Sequence, residues 1–150
     1  MTERINLKDL QLNEMEELLI GLGEPKFRAK QIFAWLYKGV DSFDGMTNVP
    51  ASLKNKLVEA GAHLGVLNPL KVQISKYDGT RKYLFELEDG NCIESVFMKY
   101  KYGNTICVSS QAGCRMGCKF CASTIGGLIR MLKPSEILEQ ILVCMRDLNE

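Results

Sequence analysis

Between residues 13 and 60 the apolar positions recur at helical spacing, and the breaks fall at residues that stop helices. Asn13 predicts the cap of a helix carrying Met15, Leu18 and Leu19, with Gly21 and Gly23 ending it. A second helix, after Pro25, is expected to place Phe27, Ile32, Phe33 and Leu36 on one side and Lys26, Arg28, Lys30 and Lys38 on a basic side. A third, starting near Pro50, buries Leu53 and Leu57 and stops at Gly61. Residues 1–68 therefore read as a small helical bundle.

After Asn68-Pro69 the period changes to two: Val72 and Ile74, then Tyr83, Phe85 and Leu87, then Ile93, Ser95 and Phe97. Asp78-Gly79 and Asp89-Gly90 lie between these runs, and such dipeptides supply the positive backbone angles of tight hairpins. The pattern predicts a short antiparallel β unit over 69–103. From 104 to 150 a strand, Thr105 to Ser109, leads into a cysteine-rich loop. A helix follows from near Pro134, with Ile137, Leu138, Ile141, Leu142, Met145 and Leu148 as its apolar stripe. The expected fold class is α+β.

Composition narrows the class. No apolar run is long enough to cross a bilayer, and Met1 to Asp9 carries neither the hydrophobic core nor the cleavage site of an export signal. A cytoplasmic protein with no membrane partner is expected, and a monomer is favoured. Net charge is +1, but it is unevenly spread: from Lys99 to Lys133 there are six basic residues, Lys99, Lys101, Arg115, Lys119, Arg130 and Lys133, and no acidic one. A basic run is ordinarily a solvated face; here it coincides with the cysteine loop.

Six cysteines in a reducing compartment argue for metal or redox chemistry over disulfides. Cys114, Cys118 and Cys121 are separated by three and then two residues, a spacing that six randomly placed cysteines produce with an expectation of about 0.01. Three thiolates on one short loop can each bind a different iron of a cubane cluster and leave a fourth iron open for a substrate or cofactor. A structural zinc and three unrelated buried cysteines are the alternatives. Zinc usually takes four ligands, and the single histidine, His63, lies in another segment. By spacing alone Cys107 reads as a buried free cysteine, and Glu94 as a carboxylate on the solvated face of a strand.

The spacing of Cys114, Cys118 and Cys121, with the aromatic Phe120 just before the last cysteine, resembles the radical S-adenosylmethionine superfamily. The longer block Thr105-Ile106-Cys107-Val108-Ser109-Ser110-Gln111-Ala112-Gly113-Cys114, followed by Met116-Gly117-Cys118-Lys119-Phe120-Cys121, resembles the RlmN/Cfr family of 23S rRNA (adenine) methyltransferases. Arg28-Ala29-Lys30-Gln31-Ile32 and Trp35-Leu36-Tyr37 look like that family's N-terminal helical accessory domain, which implies that residues 1–68 serve as an RNA-binding accessory domain.

The resemblance implies a 4Fe-4S cluster on Cys114, Cys118 and Cys121, S-adenosyl-L-methionine beside Phe120, and a low-potential electron donor protein. It implies that 104–150 begins a partial (β/α) barrel, which is cut short here. The implied reaction is methylation of carbon 2 of an adenosine in 23S rRNA and of a tRNA adenosine beside the anticodon. The methyl group is carried on a cysteine near the family's C-terminus, and an S-adenosylmethionine-derived radical activates it. Cys107 matches a cysteine that resolves the covalent RNA adduct, and Glu94 a proton-accepting glutamate. The family's methyl-carrying cysteine and the glycine-glutamate motif that binds S-adenosylmethionine are not found in these residues, so the 150-residue chain is expected to be inactive alone. A non-catalytic RNA-binding remnant and a carbon-8 adenosine methyltransferase are the competing readings.

Overall fold

The computed structural model describes residues 4–148, which fall into two compact units divided between Val66 and Leu67. In the first unit a short parallel pair, β1 (Ile5–Asn6) and β2 (Ala62–His63), ties the two ends of the segment together. Between them lie α1 (Leu12–Gly21), α2 (Arg28–Tyr37) and α3 (Ala51–Glu59). Met15 and Leu19 of α1, Ile32 and Leu36 of α2, and Leu53 and Leu57 of α3 are all fully buried and form one core with Leu7 and Met46.

Two expectations for this unit are corrected. The first helix starts before Asn13, because the Glu14 carboxylate accepts the Gln11 amide at 3.0 Å and satisfies a donor one turn earlier. Phe27 is exposed rather than part of the apolar side of α2. It precedes the first helical residue, so it does not follow the helical stripe, and its ring lies under the Arg28 guanidinium at 4.8 Å.

The second unit is built on a four-stranded antiparallel sheet in chain order: β3 (Pro69–Ile74), β4 (Arg81–Glu86), β5 (Cys92–Tyr100) and β6 (Gly103–Cys107). The turns at Gly79 and Gly90 have φ of 75° and 85°, as their Asp-Gly dipeptides predict. Tyr83 and Phe85 of β4 and Ile93 and Phe97 of β5 point to one face. They are buried there with Leu132 and with Val143 and Cys144 of α4 (Pro134–Leu148).

The mixed helix-and-sheet class is present, but the stretch read as the first strand of a barrel is placed differently. Among the described residues β6 pairs only with β5, antiparallel, with Phe97 opposite Ile106 and Val96 opposite Cys107. Alternation puts Ile106 against the core behind the sheet, so the strand completes that sheet. Nor does it run straight into the cysteine loop: a second hairpin intervenes, β7 (Gln111–Gly113) paired with β8 (Leu128–Met131). The stripe assigned to α4 is also too narrow, since Ser135, Glu139, Gln140 and Cys144 are buried alongside Leu142 and Val143.

Candidate functional site

The cysteine loop is the connection of the β7–β8 hairpin, and its neck is closed by two glycines. The Cys114 amide donates to the Gly127 carbonyl at 3.1 Å, and a Cβ at Gly113, whose φ is 75°, would lie 2.1 Å from that same oxygen. Only glycine allows so close an approach in a left-handed conformation. Inside the loop the Cys121 amide donates to the Cys118 carbonyl at 3.2 Å, and the Gly117 amide to the Thr124 hydroxyl at 2.7 Å.

Cys114, Cys118 and Cys121 are each half-buried on this loop. Among the described residues, however, no group of three or more His, Cys, Asp or Glu is drawn close enough to hold a metal ion. The three sulfurs divide between two hollows. Cys118 and Cys121 line one of about 490 Å³, together with Phe120 and Thr124. Cys114 lines another of about 640 Å³, together with Glu94, Ser109 and Gly127. Phe120 itself is 93% exposed.

Glu94 lies on the sheet face opposite α4, 3.1 Å from the Lys82 ammonium, and both side chains are about half exposed. Cys107 shares that face at the end of β6 and is exposed. The structure thus brings Glu94 and Cys114 to one hollow, and sets Cys107 on the same sheet face rather than in an enclosed interior.

Two residues outside the predicted site hold these parts in place. Gln140 is fully buried. Its carbonyl accepts the Ser95 hydroxyl at 2.5 Å and the Ser109 amide at 2.8 Å, while its amide donates to the Ser109 carbonyl at 2.8 Å and the Glu136 carbonyl at 3.1 Å. Ser109 in turn donates its hydroxyl to the Glu94 carbonyl at 2.6 Å, so one buried amide fixes the chain between Cys107 and Cys114 against the strand of Glu94. A glutamine between the apolar residues of an amphipathic helix was the signal for it.

The second is Arg130 of β8, which reaches Asp89 in the β4–β5 turn at 2.6 Å and grips Glu136 of α4 with two bonds of 2.8 Å. Arg130 is thereby removed from the set of phosphate-binding cations that the basic run suggested. Its guanidinium holds the Asp89 carboxyl down at about 2 and the Glu136 carboxyl below the usual carboxylate range. Lys99, Lys101, Arg115, Lys119 and Lys133 stay exposed.

Residues 5–62 match the family described as the ribosomal RNA large subunit methyltransferase N-terminal domain. The probable dual-specificity RNA methyltransferase RlmN of Clostridium tetani is 50% identical over the whole chain, and that of Lachnospira eligens 53% identical over 91% of it. A solved radical SAM methyltransferase from Sphaerobacter thermophilus superimposes with a TM-score of 0.87, covering 97% of the chain at 39% identity. Along its length the chain is similar to the N-terminal part of RlmN proteins. It spans 39% of the length of the Lachnospira eligens RlmN, 43% of the Clostridium tetani RlmN and 42% of the Sphaerobacter thermophilus chain.

The donor set on the loop is chemically apt for a soft metal centre. Three thiols share one loop, their neighbours in the two hollows include a single carboxylate, Glu94, and soft thiolates select iron–sulfur clusters or zinc over hard cations. The glycines at 113 and 117, with φ of 75° and 72°, let the loop backbone turn through left-handed conformations beside Cys114 and Cys118.

Proposed function

We propose that the protein to which this chain contributes is a radical S-adenosylmethionine RNA methyltransferase. It methylates carbon 2 of an adenosine in 23S rRNA, and of a tRNA adenosine beside the anticodon. The observation that carries the reading is the loop of Cys114, Cys118 and Cys121 in a chain whose relatives are named RNA methyltransferases. In this reading the three thiolates hold a 4Fe-4S cluster, Phe120 flanks S-adenosyl-L-methionine, and an electron donor protein of low potential serves the site in the cytoplasm. When bound there, the cluster and S-adenosylmethionine supply one-electron reductive chemistry that no side chain provides.

The chain's own residues do the rest. Glu94, beside Cys114 in the larger hollow, takes the proton from the adenine ring carbon. The Cys107 thiolate attacks the sulfur of the methyl-carrying cysteine, forming a disulfide as the carbon–sulfur bond to RNA breaks; the released carbon takes up a proton to become the methyl group, and a thiol reductant reopens the disulfide before the next turnover. Gln140 and Ser109 hold both residues on one rigid face. The exposed lysines attract phosphates, which position RNA without reading its sequence, while the target adenine must leave its stack to reach the site.

The test joins this chain to the C-terminal part of the Clostridium tetani RlmN and assays 2-methyladenosine by mass spectrometry. The joined protein should methylate rRNA. Its Cys107→Ala form should instead accumulate protein covalently attached to RNA, seen as a nuclease-sensitive upshifted band on a denaturing gel. Multiple turnover by Cys107→Ala without that band would remove the role given to Cys107. Methylation at carbon 8 would reassign the position of attack.

A further inference from the structure

The β3–β4 and β5–β6 turns lie at the same end of the four-stranded sheet. Arg81 pairs with Ile74 on one side and Phe97 on the other, so the last residues of β5 run past the start of β4 toward the turn of residues 75–80. Three tyrosines stand at that end in solvent: Tyr77 fully exposed, Tyr100 46% exposed and Tyr102 82% exposed. Large aromatic rings left this bare are expected to have a partner when they cluster.

The rings of Tyr100 and Tyr102 are already stacked, with centroids 5.1 Å apart and planes 13° from parallel. The Tyr100 hydroxyl is held by the Met98 sulfur at 3.3 Å. Each aromatic alternates with an exposed lysine, in Lys76-Tyr77 and Lys99-Tyr100-Lys101-Tyr102. The acidic residue in these turns, Asp78, is engaged with the Thr80 amide at 3.0 Å.

We propose that this hairpin end binds single-stranded RNA, with bases stacking on Tyr100 and Tyr102 and phosphates neutralised by Lys99, Lys101 and Lys76. The chemistry is that of single-strand binding surfaces, in which aromatic faces accept any base and interleaved cations follow the backbone. Duplex RNA offers no free base faces to such a platform. The position gives it a purpose. Tyr100 continues the sheet face that carries Glu94 and Cys107; Glu94 is six residues back along β5, about 20 Å at the rise of a strand. A strand of RNA gripped here is led along that face toward the cysteine loop, which keeps the nucleotides flanking a target adenine unstacked. The proposal rests on the RNA-methyltransferase reading and names the RNA contact within it.

The experiment measures fluorescence anisotropy of a short unstructured RNA, a duplex of the same length, and inorganic polyphosphate, each titrated with the full chain. The double variant Tyr100→Ala/Tyr102→Ala should bind the single strand at least about tenfold more weakly. Its polyphosphate affinity should be unchanged and its unfolding midpoint should move little, because Tyr102 lies in solvent and Tyr100 is about half exposed. Tyr100→Phe/Tyr102→Phe should restore single-strand binding. Lys99→Gln/Lys101→Gln should weaken both RNAs and lower the salt slope by about 0.7 for each lysine lost. Single-strand affinity unchanged in the alanine double variant would overturn the proposal while leaving the RNA reading intact, the RNA then being held elsewhere. Failure of the unaltered chain to bind any RNA would overturn both.

Discussion

Replacing Gln140 by leucine keeps the volume of a buried side chain while deleting its hydrogen bonds. The amide of Gln140 makes four bonds, and the residue has no exposed surface. Leucine leaves the Ser95 hydroxyl, the Ser109 amide and the Ser109 carbonyl without this partner. Ser95 is buried and Ser109 half-buried, so water reaches the second more readily than the first. A buried polar group stranded in this way costs about 1–3 kcal/mol, and with Ser109 partly rehydrated the sum comes to about 2–4 kcal/mol. Gln140→Glu should also destabilise, because a carboxylate cannot donate to the Ser109 carbonyl. The assay is urea unfolding followed by far-ultraviolet circular dichroism, read as a shift in midpoint at constant slope. Amide hydrogen exchange at Ser109 should accelerate in parallel. A leucine variant within about 0.5 kcal/mol of the original, with Ser109 still protected, would refute the role assigned to this glutamine.

Gly113→Ala should disturb the loop neck, since the added carbon meets the Gly127 oxygen at 2.1 Å in a backbone of positive φ; protection of the Cys114 amide from exchange should fall. The Arg130 ion pairs predict an acid-sensitive second unit. The folded-state values of Asp89 and Glu136 are depressed, so their contribution is present above the ordinary carboxylate range and is lost as pH falls toward about 2, the value of Asp89. Arg130→Gln should flatten that part of the stability profile, which unfolding midpoints measured between neutral and acid pH would reveal. Burial pushes the Cys144 thiol up to about 11, so native protein at mildly alkaline pH should alkylate at exposed Cys92 and Cys107 well before Cys144; peptide mass mapping reads the order.

The helices and hairpins were legible because their signals are local. Leu53 and Leu57 at helical spacing, and the Asp-Gly turns at 79 and 90, carry their geometry in neighbouring residues. The β7–β8 hairpin was not legible, because β7 has three residues and Leu-Ile-Arg-Met in β8 shows no alternation to mark a strand. Nor does a sequence say that Arg130 faces Asp89, forty-one positions away, instead of solvent. In the cysteine segment, spacing identified the ligating residues proposed here, while the partition of the sulfurs between two hollows depends on the loop's own hydrogen bonds at Gly117 and Cys121. Cys107 reads from its spacing as a buried cysteine, but alternation along β6 sets it on the face opposite Ile106, and that face of the sheet is open.

The central claim is that Cys114, Cys118 and Cys121 together hold an iron–sulfur cluster, and anaerobic reconstitution of the purified chain with iron and sulfide tests it most directly. The account predicts a brown protein with a broad visible absorption band and about four irons per chain, as a 4Fe-4S cluster requires, lost when any one of the three cysteines is changed to alanine but kept in Cys92→Ala, Cys107→Ala and Cys144→Ala. A colourless protein carrying one zinc per chain, or a band indifferent to Cys118→Ala, would contradict it.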